Sequence, residues 1–492
     1  MKKYVALALY ALIFIVVLYS CARNPVTGKR QVVLMSEAQE IAMGREADPQ
    51  IVAQFGLYPD SSLQQFIRQK GKQMAAISHR PNLDYEFKVV DTDVLNAFAT
   101  PGGYVYFTRG IMAHFNNEAE FAGVLGHELG HITARHSVAQ QRNQLLGQLG
   151  IIAGAVISPE FGQFAETASQ GMGLLLLKFG RDAERESDKL GVEYSSKIGY
   201  DATEMAGFFN TLERKSQEAG ANGIPTFLST HPNPGDRNTA VAQLAKDWKQ
   251  KLNLTNPQVN RNSYLKRIEG LIYGADPKQG FVEANVFYHP ELKFQFPIPT
   301  GWKFQNSPQA FQMVPPDGKA MMMLTLAPGA NLQEAAANVL KNYGLTAIES
   351  KQTNVNGLPA IAMIADQQPQ QGQQQQQQQQ QPAQVVRTLA YVIQQNTSLY
   401  LMIGVTSSND FPTYQPTFTN TIQSFRVLTE AAKLNKKPER IRVKTVAQAG
   451  TLDQVLRNYK MPAARLEELA IVNGMKLSDR VAQGTLIKVV EY

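Results

Sequence analysis

The sequence predicts an α+β multidomain chain: a mainly helical domain with a small sheet, a β-rich α/β domain, and a small βααβ module. Three observations predict it. The 492 residues amount to about three domains at roughly 150 residues each. Apolar residues recur at helical spacing through most of 22–270, whereas 285–430 alternates with period two between Pro-Gly and Asn-Gly turns. A polar linker containing Asn435-Lys436-Lys437-Pro438 then sets off a compact stretch at 442–492.

Composition narrows the function classes. Hydrophobic residues make up 43% and charged residues 18%, which excludes a wholly disordered or collagen-like protein. The net charge of +7 falls to +5 once Lys2 and Lys3 are set aside with residues 1–20. That charge is too diffuse for nucleic-acid binding, and no long basic run is present. The single cysteine, Cys21, permits neither an intramolecular disulfide nor a cysteine-based metal site.

Met1-Lys2-Lys3 is a short basic start, and Tyr4 to Tyr19 is an unbroken apolar run. Sixteen residues suit a secretory signal better than a membrane-crossing helix, so 1–20 is predicted to be a signal peptide. Leu18-Tyr19-Ser20-Cys21 resembles the bacterial lipobox, in which cleavage before the cysteine leaves a thiol for diacylglycerol. The only cysteine falls at this spot, which predicts lipidation at Cys21; a plain anchor helix with an incidental cysteine is the competing reading. Each buried acyl methylene contributes ~0.8 kcal/mol to holding a protein at a membrane surface. By analogy with Gram-negative sorting, Ala22 suggests the periplasmic face of the outer membrane.

The 22–270 stretch is helical apart from strand-like passages at Tyr85–Val90 and Tyr104–Phe107. In 285–430 the strands are Phe294–Phe296, Met321–Leu326, Leu389–Ile393 and Leu399–Val405, with a helix at Leu332–Tyr343. The segment Gln367–Gln384, with nine consecutive glutamines at 373–381, buries no apolar surface and is predicted to be a disordered loop. In the last module, helices near Thr451–Leu456 and Ala463–Ala470 precede a closing strand at Gly484–Val489.

The strongest chemical signal is Gly126-His127-Glu128-Leu129-Gly130-His131, in a helical pattern beginning at Asn117, with Glu118 and Glu120 in its first turn. Four residues at ~3.6 per turn place His127 and His131 ~40° apart on one face, so both imidazoles can reach a single ion. Glu128, ~100° round from His127, sits where a general base must be to take a proton from water beside that ion. Zinc with three protein ligands keeps a fourth position for water and lowers its pKa to ~7. A buried helix whose histidines merely bond backbone is the bland alternative. A third ligand is offered by Arg181–Asp188, where Glu184 and Asp188 are four apart and share a face. Glu184 can bind the metal while Asp188 fixes a ligand imidazole's tautomer. A solvated salt-bridged face competes with that reading, and Glu186, ~160° away, is the less favoured ligand. Asn96-Ala97-Phe98-Ala99 leads towards a strand whose exposed edge can pair with an extended peptide. His231 lies in the Pro-rich loop Ser229–Pro234, near Arg237, which positions a carboxylate, stabilises the tetrahedral intermediate or, the favoured reading, is structural. His136, five residues after His131, projects ~140° away from it, off the metal face, and is assigned no catalytic role. His79, His114 and His289 have no such context and are assigned structural roles.

Taken together, Asn24–Arg45, Asn96–Gly103, Gly126–His131, Arg181–Asp188 and Thr230–Pro234 resemble the zinc metallopeptidase family of the CAAX prenyl protease and HtpX, within it the periplasmic BepA-like branch. The resemblance implies a thermolysin-like (gluzincin) domain over about 22–270, one Zn2+ per chain, Glu184 as third ligand and Asp188 as the family's aspartate. Gly180 and Ser187 stand where the family usually has serine and alanine. The family's histidine of the His-Pro loop can occupy the open metal position; that makes His231 a candidate latch, beside its reading as a backbone-bonded or oxyanion-stabilising residue. The middle stretch resembles the PsbP-like α/β fold in its Pro297–Trp302 entry and shows no acid pair, metal cluster or phosphate loop. The last module resembles LysM, which implies binding to peptidoglycan, or a LysM-shaped domain that has lost it.

The preferred reading is a zinc endopeptidase of the bacterial envelope, lipid-anchored in the periplasm, acting on unfolded or misassembled proteins and, by resemblance, stalled outer-membrane proteins. The alternatives are a cell-wall peptide hydrolase, and a peptidoglycan-associated scaffold or chaperone with a latched metal site.

Overall fold

The computed structural model describes residues 21–32, 35–140, 179–219, 226–231, 237–367 and 385–492. The predicted signal peptide, residues 232–236 of the Pro-rich loop, and the glutamine tract beyond Gln367 lie outside them. The described residues fall into two compact units: those within 21–140, 179–274 and 439–492 form the first, and those within 275–438 the second. Among the described residues no helix is long and apolar enough to cross a membrane.

The first unit begins with a hairpin of β1 (Cys21–Arg23) and β2 (Arg30–Val32). Helices α1 (Glu37–Phe55) and α2 (Ser61–Ala75) follow, each started by a side chain that accepts a first-turn N–H, Ser36 and Asp60 respectively. Strand β3 (Glu86–Val90) runs parallel to β5 (Tyr104–Thr108), and β4 (Ala97–Thr100) pairs antiparallel with β5, which leaves β4 at the edge. Then come α3 (Arg109–His114), α4 (Glu118–Thr133), α5 (Arg181–Lys197), α6 (Thr203–Ala219), α7 (Thr226–Thr230), α8 (Arg237–Lys251) and α9 (Arg261–Arg267). All sixteen residues of α4 are buried, so it is the central helix of the unit, enclosed on every side.

In the second unit, β9 (Lys303–Asn306), β10 (Ala310–Val314), β11 (Ala320–Leu326), β12 (Leu345–Val355), β13 (Leu358–Gln367), β14 (Val386–Gln395) and β15 (Ser398–Ser407) form one antiparallel sheet. Its order is β12-β13-β14-β15-β11-β10-β9. The two-residue side-chain period feeds two cores from one strand: Met322 and Leu324 of β11 face one core, Met321 and Met323 the other. Helix α10 (Leu332–Asn342) covers the second face through Ala335 and Val339. The first is covered by α11 (Phe411–Gln423) and a small sheet of β6 (Phe281–Glu283), β7 (Val286–His289), β8 (Phe294–Pro297) and β16 (Arg426–Val427).

The chain then returns to the first unit after α12 (Ala431–Leu434). Strand β17 (Arg440–Thr445) pairs antiparallel with β20 (Leu486–Glu491) around α13 (Leu452–Asn458) and α14 (Leu466–Val472), a strand-helix-helix-strand order. Short β18 (Gly450–Thr451) and β19 (Arg480–Val481) pair beside them. This stretch shares one hydrophobic core with the helical part: Ile441, Leu456, Leu469 and Val489 continue the cluster of Leu63, Phe107, Phe121 and Tyr264. Lys488 is fully buried and donates to the Ala113 and Phe115 carbonyls at 2.9 Å each, capping the end of α3.

Candidate metal centre

Asn117 caps α4 by accepting the Glu120 N–H at 2.8 Å, and Glu118 and Glu120 sit at the positive end of the helix. Where α4 crosses α5, glycines replace side chains. A Cβ on Gly126 would lie 2.9 Å from both the Cα and the carbonyl oxygen of Gly191. The helices therefore meet almost backbone to backbone, which lets the short side chains of α5 reach the imidazoles of α4. Helix α5 starts at Gly180, which makes no side-chain cap bond.

His127, His131, Glu184 and His231 are all buried, and their ligand atoms lie within 4.8 Å of one another. The two Nε2 atoms of His127 and His131 are 3.1 Å apart. His231 Nδ1 is 3.3 Å from His127 Nε2 and 3.0 Å from Glu184 Oε1, which is 3.5 Å from His131 Nε2. Four donors at ~2.0–2.1 Å from a tetrahedral zinc would stand ~3.3 Å apart. The observed separations match those edges, so the donor set fits a zinc ion.

The surroundings orient the donors. His127 Nδ1 is 2.9 Å from Asp188 Oδ1, and Arg237 donates to both Asp188 oxygens at 2.7 and 2.8 Å. Burial raises the Asp188 carboxyl, but Arg237 and His127 outweigh it and hold it below the usual range. An ionised Asp188 accepts the hydrogen bond of the His127 Nδ1–H, which leaves the Nε2 lone pair facing the cluster. Burial likewise opposes ionisation of Glu184, and His231, His127 and Arg237 overcome it. His131 is pushed well below the ordinary histidine value by burial and then by His127, His136 and His231. Burial raises Glu128, and neither of its oxygens has a hydrogen-bond partner among the described residues. The His231 Nε2 lies 3.6 Å from Glu128 Oε1.

His231 is delivered by α7, whose Phe227 N–H donates to the Leu95 carbonyl at 3.0 Å. Phe179 stacks on His131 at 4.0 Å and Phe227 on His231 at 4.6 Å, so aromatic rings wall the imidazoles. Asn96 is buried, and its Oδ1 accepts from the Thr230 hydroxyl at 3.4 Å. Ala97 and Ala99 join the main core, whereas Phe98 packs with Ile51, Phe55 and Tyr106 in a separate cluster. Thus β4 offers a backbone edge and no exposed side chains. The Cys21 backbone pairs with Val32. Two placements differ from the helical projection: His136 Nδ1 is 3.1 Å from His131 Nδ1, and His136 Nε2 is 3.0 Å from Glu186 Oε2. Neither Phe179 nor Phe227 carries a sequence signal of its own.

Nitrogen and oxygen donors thus close on one point suited to a metal ion, beside a carboxylate with no hydrogen-bond partner among the described residues. The sequence model of Peptidase family M48 matches residues 61–245, which contain every one of these side chains.

Among its relatives, the beta-barrel assembly-enhancing protease of Yersinia pestis is 31% identical over 257 residues, 49% of this chain and 50% of that one. Its counterpart in Escherichia coli (strain K12) is 30% identical over 241 residues, 46% of this chain and 47% of that one. The mitochondrial metalloendopeptidase OMA1 of Arabidopsis thaliana is 31% identical over 186 residues, 37% of this chain and 36% of that one. The chain spans about half the length of the first two. The solution structure of cyanobacterial PsbP from Synechocystis sp. PCC 6803 aligns over 30% of this chain and 94% of that one. Its identity is 12% and its TM-score 0.22, a likeness from which no property of this chain follows.

Proposed function

We propose that this chain is a zinc-dependent metalloendopeptidase of the bacterial cell envelope that hydrolyses unfolded or misassembled proteins, including outer-membrane proteins, as part of protein quality control. The observation that carries the proposal is the convergence of His127, His131 and Glu184 beside a Glu128 whose oxygens have no hydrogen-bond partner among the described residues.

His127, His131 and Glu184 would hold the zinc, with Asp188 and Arg237 fixing His127. A zinc ion there supplies Lewis acidity, polarising the scissile carbonyl and making water acidic enough to attack at neutral pH. Glu128 takes the proton of the attacking water and returns it to the leaving amine. Burial raises its carboxyl towards the working pH, which favours both halves of that transfer. The β4 backbone aligns an extended substrate, which favours unfolded clients over compact ones.

His231 would act as a latch: its Nδ1 stands 3.3 Å from His127 Nε2 and 3.0 Å from Glu184 Oε1, where it would compete with water and substrate for the metal. Substrate entry then requires α7 to release Leu95. The apolar run and Cys21 support a lipid-anchored protein on the periplasmic side of the outer membrane, and likeness to beta-barrel assembly-enhancing proteases agrees with a place beside that membrane. The strand-helix-helix-strand order of the last stretch supports a LysM-like module facing peptidoglycan.

The test is Glu128→Gln in the full chain, assayed on casein. We expect one zinc per chain to be retained while chelator-sensitive turnover disappears. Unchanged turnover removes the base, and cleavage of purified muropeptides by the wild type would favour a cell-wall hydrolase.

A further inference from the structure

The His131 imidazole is held by a route the helix pattern does not reveal. Its Nε2 faces the cluster, 3.1 Å from His127 Nε2, so for this nitrogen to bind a metal the proton must sit on Nδ1. That Nδ1 points at His136 Nδ1, 3.1 Å away. The accepting nitrogen of His136 is therefore Nδ1, its proton sits on Nε2, and that N–H donates to Glu186 Oε2 at 3.0 Å. The Ser187 hydroxyl lies 3.3 Å from the same His136 Nδ1. One tautomer of each ring satisfies the whole chain of bonds, and it runs from a carboxylate of α5 to a donor of α4.

His136 reaches this place because α4 stops at Thr133. Arg135 adopts a left-handed backbone (φ 58°) and is pinned by Glu40 at 2.9 Å and by the Met35 carbonyl at 3.1 Å. The chain folds back and brings His136 under the end of the helix, where its ring centre lies 5.0 Å from that of His131. Glu184, Glu186 and Asp188 thus do three different things from one helix. Glu184 faces the cluster, Asp188 bonds His127 directly, and Glu186 acts on His131 through an intervening imidazole.

We propose that His136 and Glu186 are positioning residues for His131, fixing its tautomer and ring orientation so that Nε2 is presented to the metal. The proposal rests on the reading that His131 ligates zinc. Residues in such a role commonly change metal affinity 10–100-fold when removed.

The experiment is a zinc titration of the full chain against a competing chromophoric chelator, with the melting temperature of the chelated protein measured beside it. His136→Phe keeps a ring but accepts no bond, and should bind zinc ~10–100-fold more weakly. His136→Gln can accept from His131 and donate to Glu186, and should recover most of that loss. Glu186→Ala, altering a side chain at the edge of the site, should weaken zinc in the same direction, and it carries the test if His136→Phe does not fold. The visible spectrum of the cobalt-loaded variants should shift, with the chelated melting temperature of Glu186→Ala unchanged. Wild-type-like affinity in both His136→Phe and Glu186→Ala overturns the proposal. So does a Gln variant no better than Phe. A wild type that binds no zinc instead overturns the metal centre itself, so the two failures are distinguishable.

Discussion

Replacing Arg237 by methionine removes the guanidinium that grips Asp188 and leaves a flexible apolar side chain against Phe209, over whose ring the arginine sits at 3.9 Å. The arginine side chain is 1% exposed and that of Asp188 6%, so neither charge can fall back on water. Losing one member of a buried pair commonly costs ~3–5 kcal/mol, chiefly because the other charge is left uncompensated. Asp188→Asn alone leaves the guanidinium with only the Glu184 carboxylate, 3.5 Å away, as counter-charge. The double variant removes both charges, so it should cost much less than the sum, with a coupling of at least ~1.5 kcal/mol. The chain has two tryptophans, Trp248 on α8 with Arg237 and Trp302 in the second unit. In a Trp302→Phe background, fluorescence during guanidinium unfolding of chelated protein therefore reports the first unit. Additive costs, within ~0.5 kcal/mol, would refute the claim that this pair acts as a buried unit.

Further predictions follow from neighbouring features. His231→Ala should raise turnover on unfolded protein and speed zinc removal by chelator, whereas lowered turnover would assign His231 a catalytic or folding role. Gly126→Ala places a methyl 2.9 Å from the backbone of Gly191, which cannot yield as a side chain would. It should cost ~1–3 kcal/mol and weaken zinc by separating the two helices; unchanged stability and affinity would show that the crossing tolerates the methyl. His114 is held down to about 4, by burial first, with Lys488 and Lys215 adding to it. The unfolded chain then binds more protons than the fold between pH 6.5 and 4, so stability falls on acidification through that window. The loss should approach ~2 kcal/mol at pH 5 relative to pH 7.5. His114→Gln should lose correspondingly less over the same interval, and equal slopes in the two proteins would show that His114 is not kept neutral.

The metal-facing side chains of α4 are legible because a four-residue spacing on a continuous helix is purely local geometry; the same spacing puts Glu184 and Asp188 on one face of α5. Strands β11, β14 and β15 are legible for an equally local reason: each is buried on both faces of its sheet and so reads as a short, nearly continuous apolar run. Projection fails at His136 because it continues a helix that has already ended at Thr133 and turned at Arg135. Arg237 was ambiguous because its partner lies 49 residues away and is brought there by the crossing of α5 and α8. Phe98 looks like a substrate contact beside Asn96, yet the strand alternation sends it into the α1 cluster. Lys488 reads as a solvent-facing charge, and its burial depends on two carbonyls more than 370 residues away. The same contact shows why the last stretch, set off by a polar linker in sequence, shares the core of the first unit.

The central claim is that two imidazoles of α4 and one carboxylate of α5 surround a single divalent cation. Anomalous diffraction at the zinc edge from crystals of the zinc-loaded full chain tests it directly. One peak is expected, ~2.0–2.2 Å from His127 Nε2, His131 Nε2 and a Glu184 oxygen. A peak elsewhere, or one that leaves Glu184 beyond bonding distance, would contradict it.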